Sequence, residues 1–321
     1  MSNHATSPLQ FLVFSFNRGD FLNNCVESIQ QCAPQAGITI WDDNSDDPLT
    51  LQTLNTLSAQ CDIRQPDQQA VEYSKLHGGL YGIMQAAIEN LSGNPLICTI
   101  QDDMQVVRPI SAPEIERWQS LYHDKAFKGF FQPGFIKRAK ESITYVPALD
   151  GYHIDRLHRS AGAFYSDLFL IQRNLLMETN WKFYDNEAKN EQQARQHFSQ
   201  MIFMKNPFIA WLPGVPAWRG RKRTWALRFA ERQRKCGLYP FKIMDADTVQ
   251  PFCERPSSDI PLAERYLTFS GDSLPRYSKR ARQSLLKNFY PLTWLRVTIR
   301  VISIQQAKSL FGILLNGTAG S

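Results

Sequence analysis

The chain lacks several features that would settle its class at once. Its six cysteines (Cys25, Cys32, Cys61, Cys98, Cys236 and Cys253) include no CxxC pair. Reduced thiols are therefore the expectation, with Cys98 acting as a small hydrophobe inside an apolar run. No uninterrupted apolar run reaches the length that spans a bilayer. The opening residues MSNHATSPLQ carry neither a basic stretch nor an apolar one, so the expected location is cytoplasmic, without a signal peptide. Low-complexity tracts and internal repeats are missing too. Histidine is scarce, and His4, His123, His153, His158 and His197 have no ligand-like spacing. They read as surface or core residues, although His153 and His158 could face a substrate.

What is present is ordinary in amount and uneven in arrangement. At 321 residues the chain lies near the upper limit of one hydrophobic core, so one large domain with a smaller appendage is expected. Residues 1–215 carry 17 Lys/Arg against 23 Asp/Glu, a balance of −6, and residues 216–321 carry 19 against 7, or +12. This shift sets the expected domains, 1–215 and a basic, mainly helical extension over 216–321. A basic end of this strength should meet something anionic: phosphates, nucleic acid or a lipid surface.

Alternating strand and helix patterns predict an α/β fold with a mostly parallel central sheet flanked by helices. Strands are predicted at 10–16, 38–41, 96–100, 130–135, 167–173 and 209–213, with a short one at 62–65. Helices are predicted at 21–32, 49–59, 80–88 and 186–198, and a further one begins at Leu175-Leu176. Three of the strands end in polar clusters: Ser15–Arg18, Asp42–Asp47 and Asp102-Asp103. Ligands of parallel sheets bind outside the carboxyl ends of the strands, so three such clusters at one edge make a site. Asp102 and Asp103 follow the apolar run Leu96–Ile100, and two carboxylates there cannot both be buried unpaired. A hard cation such as Mg²⁺ or Mn²⁺, completed by substrate phosphates, would resolve the conflict. The plain alternative is an aspartate pair that caps a turn.

The three clusters in order resemble the motifs of nucleotide-diphospho-sugar glycosyltransferases of the GT-A fold, specifically the inverting family 2 type. Phe14-Ser15-Phe16-Asn17-Arg18 is similar to that family's first-strand motif. Asp42-Asp43-Asn44-Ser45-Asp46-Asp47 is similar to the second, and Gln101-Asp102-Asp103 stands at the metal-binding DXD position with adjacent acids. The resemblance covers about residues 10–215 and implies a Rossmann-like fold. It also implies that Ser15, Asn17, Arg18 and Asp43 bind the nucleotide, with Asp42 a helper. Asp103 would bind the metal, and Asp102 would contact the ribose or the metal shell. Where the family often has Arg-Asn-x-Gly, this chain has Lys75-Leu76-His77-Gly78-Gly79, so Lys75 and His77 are loose counterparts. Glu191 and Glu187 lie about where the family places its catalytic base. Glu191 is preferred, and the plain alternative is a pair of solvated helix carboxylates.

Beyond the core, Arg219, Arg221, Lys222 and Arg223 sit between Trp218 and Trp225 and could close over a diphosphate, because the arginine fork donates bidentately. Residues 285–315 combine an apolar helical face with Lys287, Arg296, Arg300 and Lys308, which fits either a helix lying on an anionic membrane at its inner face or one packed on the protein itself. The expected reaction moves a sugar from a nucleotide-diphosphate donor to an acceptor hydroxyl, a saccharide or a lipid-linked one, with inversion. It would use Mg²⁺ or Mn²⁺ and no nucleic acid. The competing readings are a pyrophosphorylase-like nucleotidyltransferase and a non-catalytic module that binds nucleic acid or membrane. Oligomeric state is left open.

Overall fold

The computed structural model describes residues 7–66, 79–136, 142–156, 161–216, 228, 231–232 and 236–271. Within them the chain opens with β1 (Leu9–Ser15), α1 (Gly19–Cys32), β2 (Gly37–Asp42), α2 (Pro48–Leu57) and β3 (Asp62–Arg64). There follow α3 (Leu80–Glu89), β4 (Leu96–Gln101), β5 (Met104–Val106), α4 (Ala112–His123), β6 (Phe131–Gln132), β7 (Ile143–Val146) and β8 (Gly151–Ile154). The last elements are β9 (Leu170–Gln172), α5 (Arg173–Glu178), α6 (Glu187–His197), β10 (Ile202–Met204), β11 (Ile209–Trp211), α7 (Ala246–Glu254) and α8 (Ala263–Tyr266). Helix starts obey local chemistry. Asp47 caps α2 by accepting the Thr50 N–H at 3.0 Å, with Pro48 at the first position. Ser111 and Glu114 form a capping box on α4.

The central sheet has the order β3-β2-β1-β4-β9-β6-β10-β8-β7. Its first four strands are parallel, and β9 runs antiparallel between β4 and β6. The chain steps outward from β1 to β3, then returns across β1 to β4. That reversal is the topological switch point where α/β sheets bind ligands. The register lines up the predicted polar ends: Ser15 pairs with Asp42, and Phe14 pairs with both Trp41 and Gln101. β1 and β4 are buried along nearly their whole length, as expected of strands covered on both faces.

The second half departs from the predicted elements. The strand expected over 130–135 shrinks to Phe131–Gln132, with Pro133 next, and β9 covers only Leu170–Gln172. The strand expected at 209–213 leaves the central sheet and pairs antiparallel with β5. β5, β7, β8 and β10 are three or four residues long, too short to show a period.

Met1–Ser273 form one compact unit. Residues beyond 215 contribute to its core, where Phe241, Met244, Phe252, Ala263 and Leu267 join Val107, Phe135 and Ala210. The buried Gln105 side chain exchanges two 2.8 Å bonds with the Phe241 backbone. Residues 219–223 and 285–315, for which a diphosphate loop and a membrane-facing helix were expected, lie outside the described residues.

Candidate active site

Asp102 is the hub of the switch point. Its carboxylate is 3% exposed and bridges the first motif, with Oδ2 accepting the Phe16 N–H at 3.0 Å and Oδ1 lying 2.5 Å from Arg18 Nη1. Asp102 N–H in turn donates to the Phe14 carbonyl. Burial pushes the Asp102 carboxyl up to about 7 against the pull of the Arg18 guanidinium, with Asp103 adding to the rise. Burial opposes the charge on Arg18, yet the two aspartates outweigh it and raise its pKa. Arg18 Nη1 also lies 3.3 Å from Asp103 Oδ2. The other oxygen, Asp103 Oδ1, is buried with no hydrogen-bond partner among the described residues.

The second motif builds the adjoining wall. Asp42, fully buried, accepts from Ser45 N–H at 2.8 Å and Ser45 Oγ at 2.6 Å. Asn17 adopts a left-handed backbone (φ 51). Its side-chain oxygen accepts from the Asp46 and Asp47 N–H groups, while its amide donates to Asp46 at 2.6 Å. Both side chains therefore brace the loop between β2 and α2, whatever else they touch. Ser15 Oγ is buried without a partner among the described residues. Asp43 is 4% exposed, and its backbone N–H donates to the Ser15 carbonyl at 2.9 Å. Gly79, at φ 63 before α3, meets the Asp43 carboxylate so closely that a Cβ there would lie 2.5 Å from Oδ1. Only glycine fits both the conformation and the contact.

Across β4, the segment leading into β9 reaches the same edge. Thr99 Oγ1 on β4 donates to the Asp167 carbonyl at 2.8 Å, and Tyr81 at the start of α3 donates to Asp167 Oδ2 at 3.3 Å. Burial raises the Asp167 carboxyl, and the hydrogen bond from Tyr81 opposes the rise. Asp167 opens the strand expected over 167–173, and nothing in the sequence singled out Tyr81.

The two helix glutamates differ sharply in surroundings. Glu191 is 1% exposed, and its Oε2 accepts four consecutive backbone N–H groups, from Gly162, Ala163, Phe164 and Tyr165, at 2.8–3.2 Å. Its Oε1 pairs with Arg195 Nη2 at 2.7 Å. Glu187, the first residue of α6, is exposed as a residue, while its carboxyl group is partly enclosed. Its carboxyl is pushed up to about 7 by partial burial and by the charges of Asp167 and Glu191, with Arg156 opposing.

A divalent cation can be tested against this donor set. Among the described residues no three His, Cys, Asp or Glu side chains gather into a protein-only cage. Asp102 has both oxygens engaged. Asp103, with Oδ1 unpartnered, fits a hard cation that takes one carboxylate and completes its shell with phosphate oxygens and water.

No protein-family model matches the chain, and no curated protein matches it at a significant level. Among solved structures, the chain is similar to TarS of S. aureus at a TM-score of 0.45 and 12% identity, the match covering 63% of this chain and 36% of that one. It is also similar to the mannosyltransferase PcManGT from Pyrobaculum calidifontis in complex with GDP-Man and Mn²⁺ (TM-score 0.42, 13% identity, 71% and 61% covered). A third is an active-site mutant of LgtC (TM-score 0.39, 9% identity, 72% and 97% covered). The chain thus spans about a third of the length of TarS and about three fifths of that of PcManGT.

Proposed function

We propose that this chain is a glycosyltransferase that takes a sugar from a nucleotide-diphosphate donor and passes it to an acceptor hydroxyl with inversion. The observation that carries the reading is the junction of three strand ends at the β1/β4 switch point. There Ser15, Asp43 and Asp103 stand around the Arg18–Asp102 pair. Among the described residues Ser15 Oγ and Asp103 Oδ1 are buried polar atoms that lack partners, and such atoms in a native fold call for a ligand, water or ion.

In this reading Ser15 and Asp43 take the nucleoside, and Asn17 and Asp42 hold the loop that shapes its pocket. Asp103 holds Mg²⁺ or Mn²⁺ together with the diphosphate. The bound cation supplies charge stabilisation to the leaving diphosphate. Arg219, Arg221, Lys222 and Arg223 are proposed to add to that stabilisation. Glu187 is the general base. It reaches solvent, and its proton affinity lies near neutrality, where a base works best. Glu191 is set aside for that role because four N–H groups occupy its Oε2 and the Arg195 guanidinium neutralises its charge. A saccharide or lipid-linked acceptor would approach past the 161–167 segment, and residues 285–315 are kept as the proposed contact with an anionic membrane.

The test is thermal shift with UDP and GDP, with and without Mn²⁺. A ligand that binds only the folded chain raises its Tm, so a metal-dependent rise is expected. No response to any nucleoside diphosphate would contradict the reading.

A further inference from the structure

We infer that Arg18 is a built-in cation that keeps the divalent metal from binding without nucleotide, so that metal and nucleoside diphosphate enter together. The inference rests on the reading above and concerns the order in which its ligands bind.

Arg18 caps α1 directly after β1, and its Nη1 lies 2.5 Å from Asp102 Oδ1 and 3.3 Å from Asp103 Oδ2. One guanidinium therefore sits against both acids of the Asp102-Asp103 pair. A divalent cation arriving alone at Asp103 would meet a charge of its own sign against the carboxylate that holds it, in a site where water screens poorly. The aspartates carry at most two negative charges and already have one positive partner. What remains is too little to strip a hard cation of its water. A diphosphate changes the balance by bringing further negative charge and oxygen ligands.

The attachment of Arg18 is also suited to exchange. Both contacts to the aspartates run through Nη1, and Nε is buried without a partner among the described residues. A guanidinium that binds carboxylates firmly uses its fork, two nitrogens to two oxygens. Here the fork is not used that way, which leaves donors on Arg18 to turn toward phosphate oxygens while Asp102 keeps the Phe16 N–H.

The experiment is a titration of the full chain with Mn²⁺ alone, followed by electron paramagnetic resonance, and then with Mn²⁺ in saturating UDP or GDP. The wild-type chain is expected to bind Mn²⁺ at least tenfold more tightly with nucleotide than without. Arg18→Gln should bind Mn²⁺ alone at least tenfold more tightly than wild type and gain much less from nucleotide. Arg18→Lys, which keeps the charge, should stay weak. Equal Mn²⁺ affinity of the wild-type chain with and without a nucleotide shown to bind would overturn the inference, even if Arg18→Gln does not fold. So would a folded Arg18→Gln with unchanged or weaker Mn²⁺ affinity. If neither nucleotide binds, the donor reading fails separately, and the Mn²⁺-only comparison of wild type with Arg18→Gln and Arg18→Lys still decides the role of Arg18.

Discussion

Arg18 Nη1 and Asp102 Oδ1 lie 2.5 Å apart at the point where the sheet reverses its strand order. The contact ties the start of the helix that follows β1 to the residue just after β4. Asp102 is almost wholly buried, so removing its partner leaves a buried charge or forces a proton onto it. Arg18→Ala should therefore lower stability by about 3 kcal/mol near pH 8. The loss should be smaller near pH 5, because Asp102, with its carboxyl at about 7, is then protonated in both proteins. Denaturant melts at the two pH values measure the difference. An equal loss at both would remove the coupling.

Asp103→Asn should leave the fold intact and abolish metal-dependent turnover. The change nearly preserves shape and removes only the charge that would hold the cation. Circular dichroism together with turnover across a Mn²⁺ series checks both halves. Near-wild-type turnover with unchanged metal dependence would free Asp103 of its role.

The two glutamates of α6 should separate cleanly. Glu187→Gln is expected to keep the nucleotide-induced Tm shift and lose transfer, the pattern of a group needed for the chemical step. Glu191→Ala removes the acceptor of four buried N–H groups and should destabilise the chain by about 3 kcal/mol. Steady-state kinetics and melting on both variants decide. Normal transfer by Glu187→Gln would move the base elsewhere, with Asp167 the next carboxylate at the same edge.

The raised proton affinity of Glu187 fixes the sign of two pH effects. Its carboxyl moves from an ordinary 4.5 to about 7 in the folded chain, so the folded state holds this proton more tightly than the unfolded one. The stability it contributes is full below about pH 4.5 and is lost as pH rises through 7. Activity should run the other way, with kcat rising through pH 7 to a plateau as the base ionises. Glu187→Gln should flatten part of the stability curve. The remainder belongs to Asp102 and Asp167, which are shifted in the same direction. A kcat profile that falls between pH 6 and 8 would exclude Glu187 as the base.

Gly79→Ala should cost more than an exposed Gly→Ala change, because φ is 63 and the new Cβ would meet the Asp43 carboxylate. The left-handed backbone alone costs a side chain about 1 kcal/mol, and displacement of Asp43 should weaken nucleotide binding beyond that. Calorimetric titration of UDP or GDP into the variant measures it. Unchanged affinity would show that Asp43 does not need its present position.

The first half of the fold could be read from the chain because its strands are long apolar runs closed by polar clusters, and the register of β1 with β2 and β4 places those clusters in one line. The second half could not. Strands such as Phe131–Gln132 and Ile202–Met204 are shorter than any detectable period, and their pairing is set by contacts distant in sequence. The same distinction divides the site. Asp43, Asp102 and Asp103 follow strands, so their placement at one edge of the sheet could be read. The surroundings of Glu191 could not be read, because its four N–H partners lie 26 to 29 residues away and no side-chain pattern encodes a backbone donor. Arg18 was read as part of the nucleotide motif, whereas its partners in the fold are the aspartates of another strand.

The most direct test is a screen of sugar nucleotides for hydrolysis by the full chain with Mg²⁺ or Mn²⁺, run beside Asp103→Asn. Water can stand in for the acceptor, so the assay needs no knowledge of what the sugar is passed to. The expected result is metal-dependent release of nucleoside diphosphate from one donor, absent in Asp103→Asn. Hydrolysis equally fast in Asp103→Asn, or no donor bound or cleaved with either metal, would contradict a sugar-nucleotide site at the β1/β4 switch point.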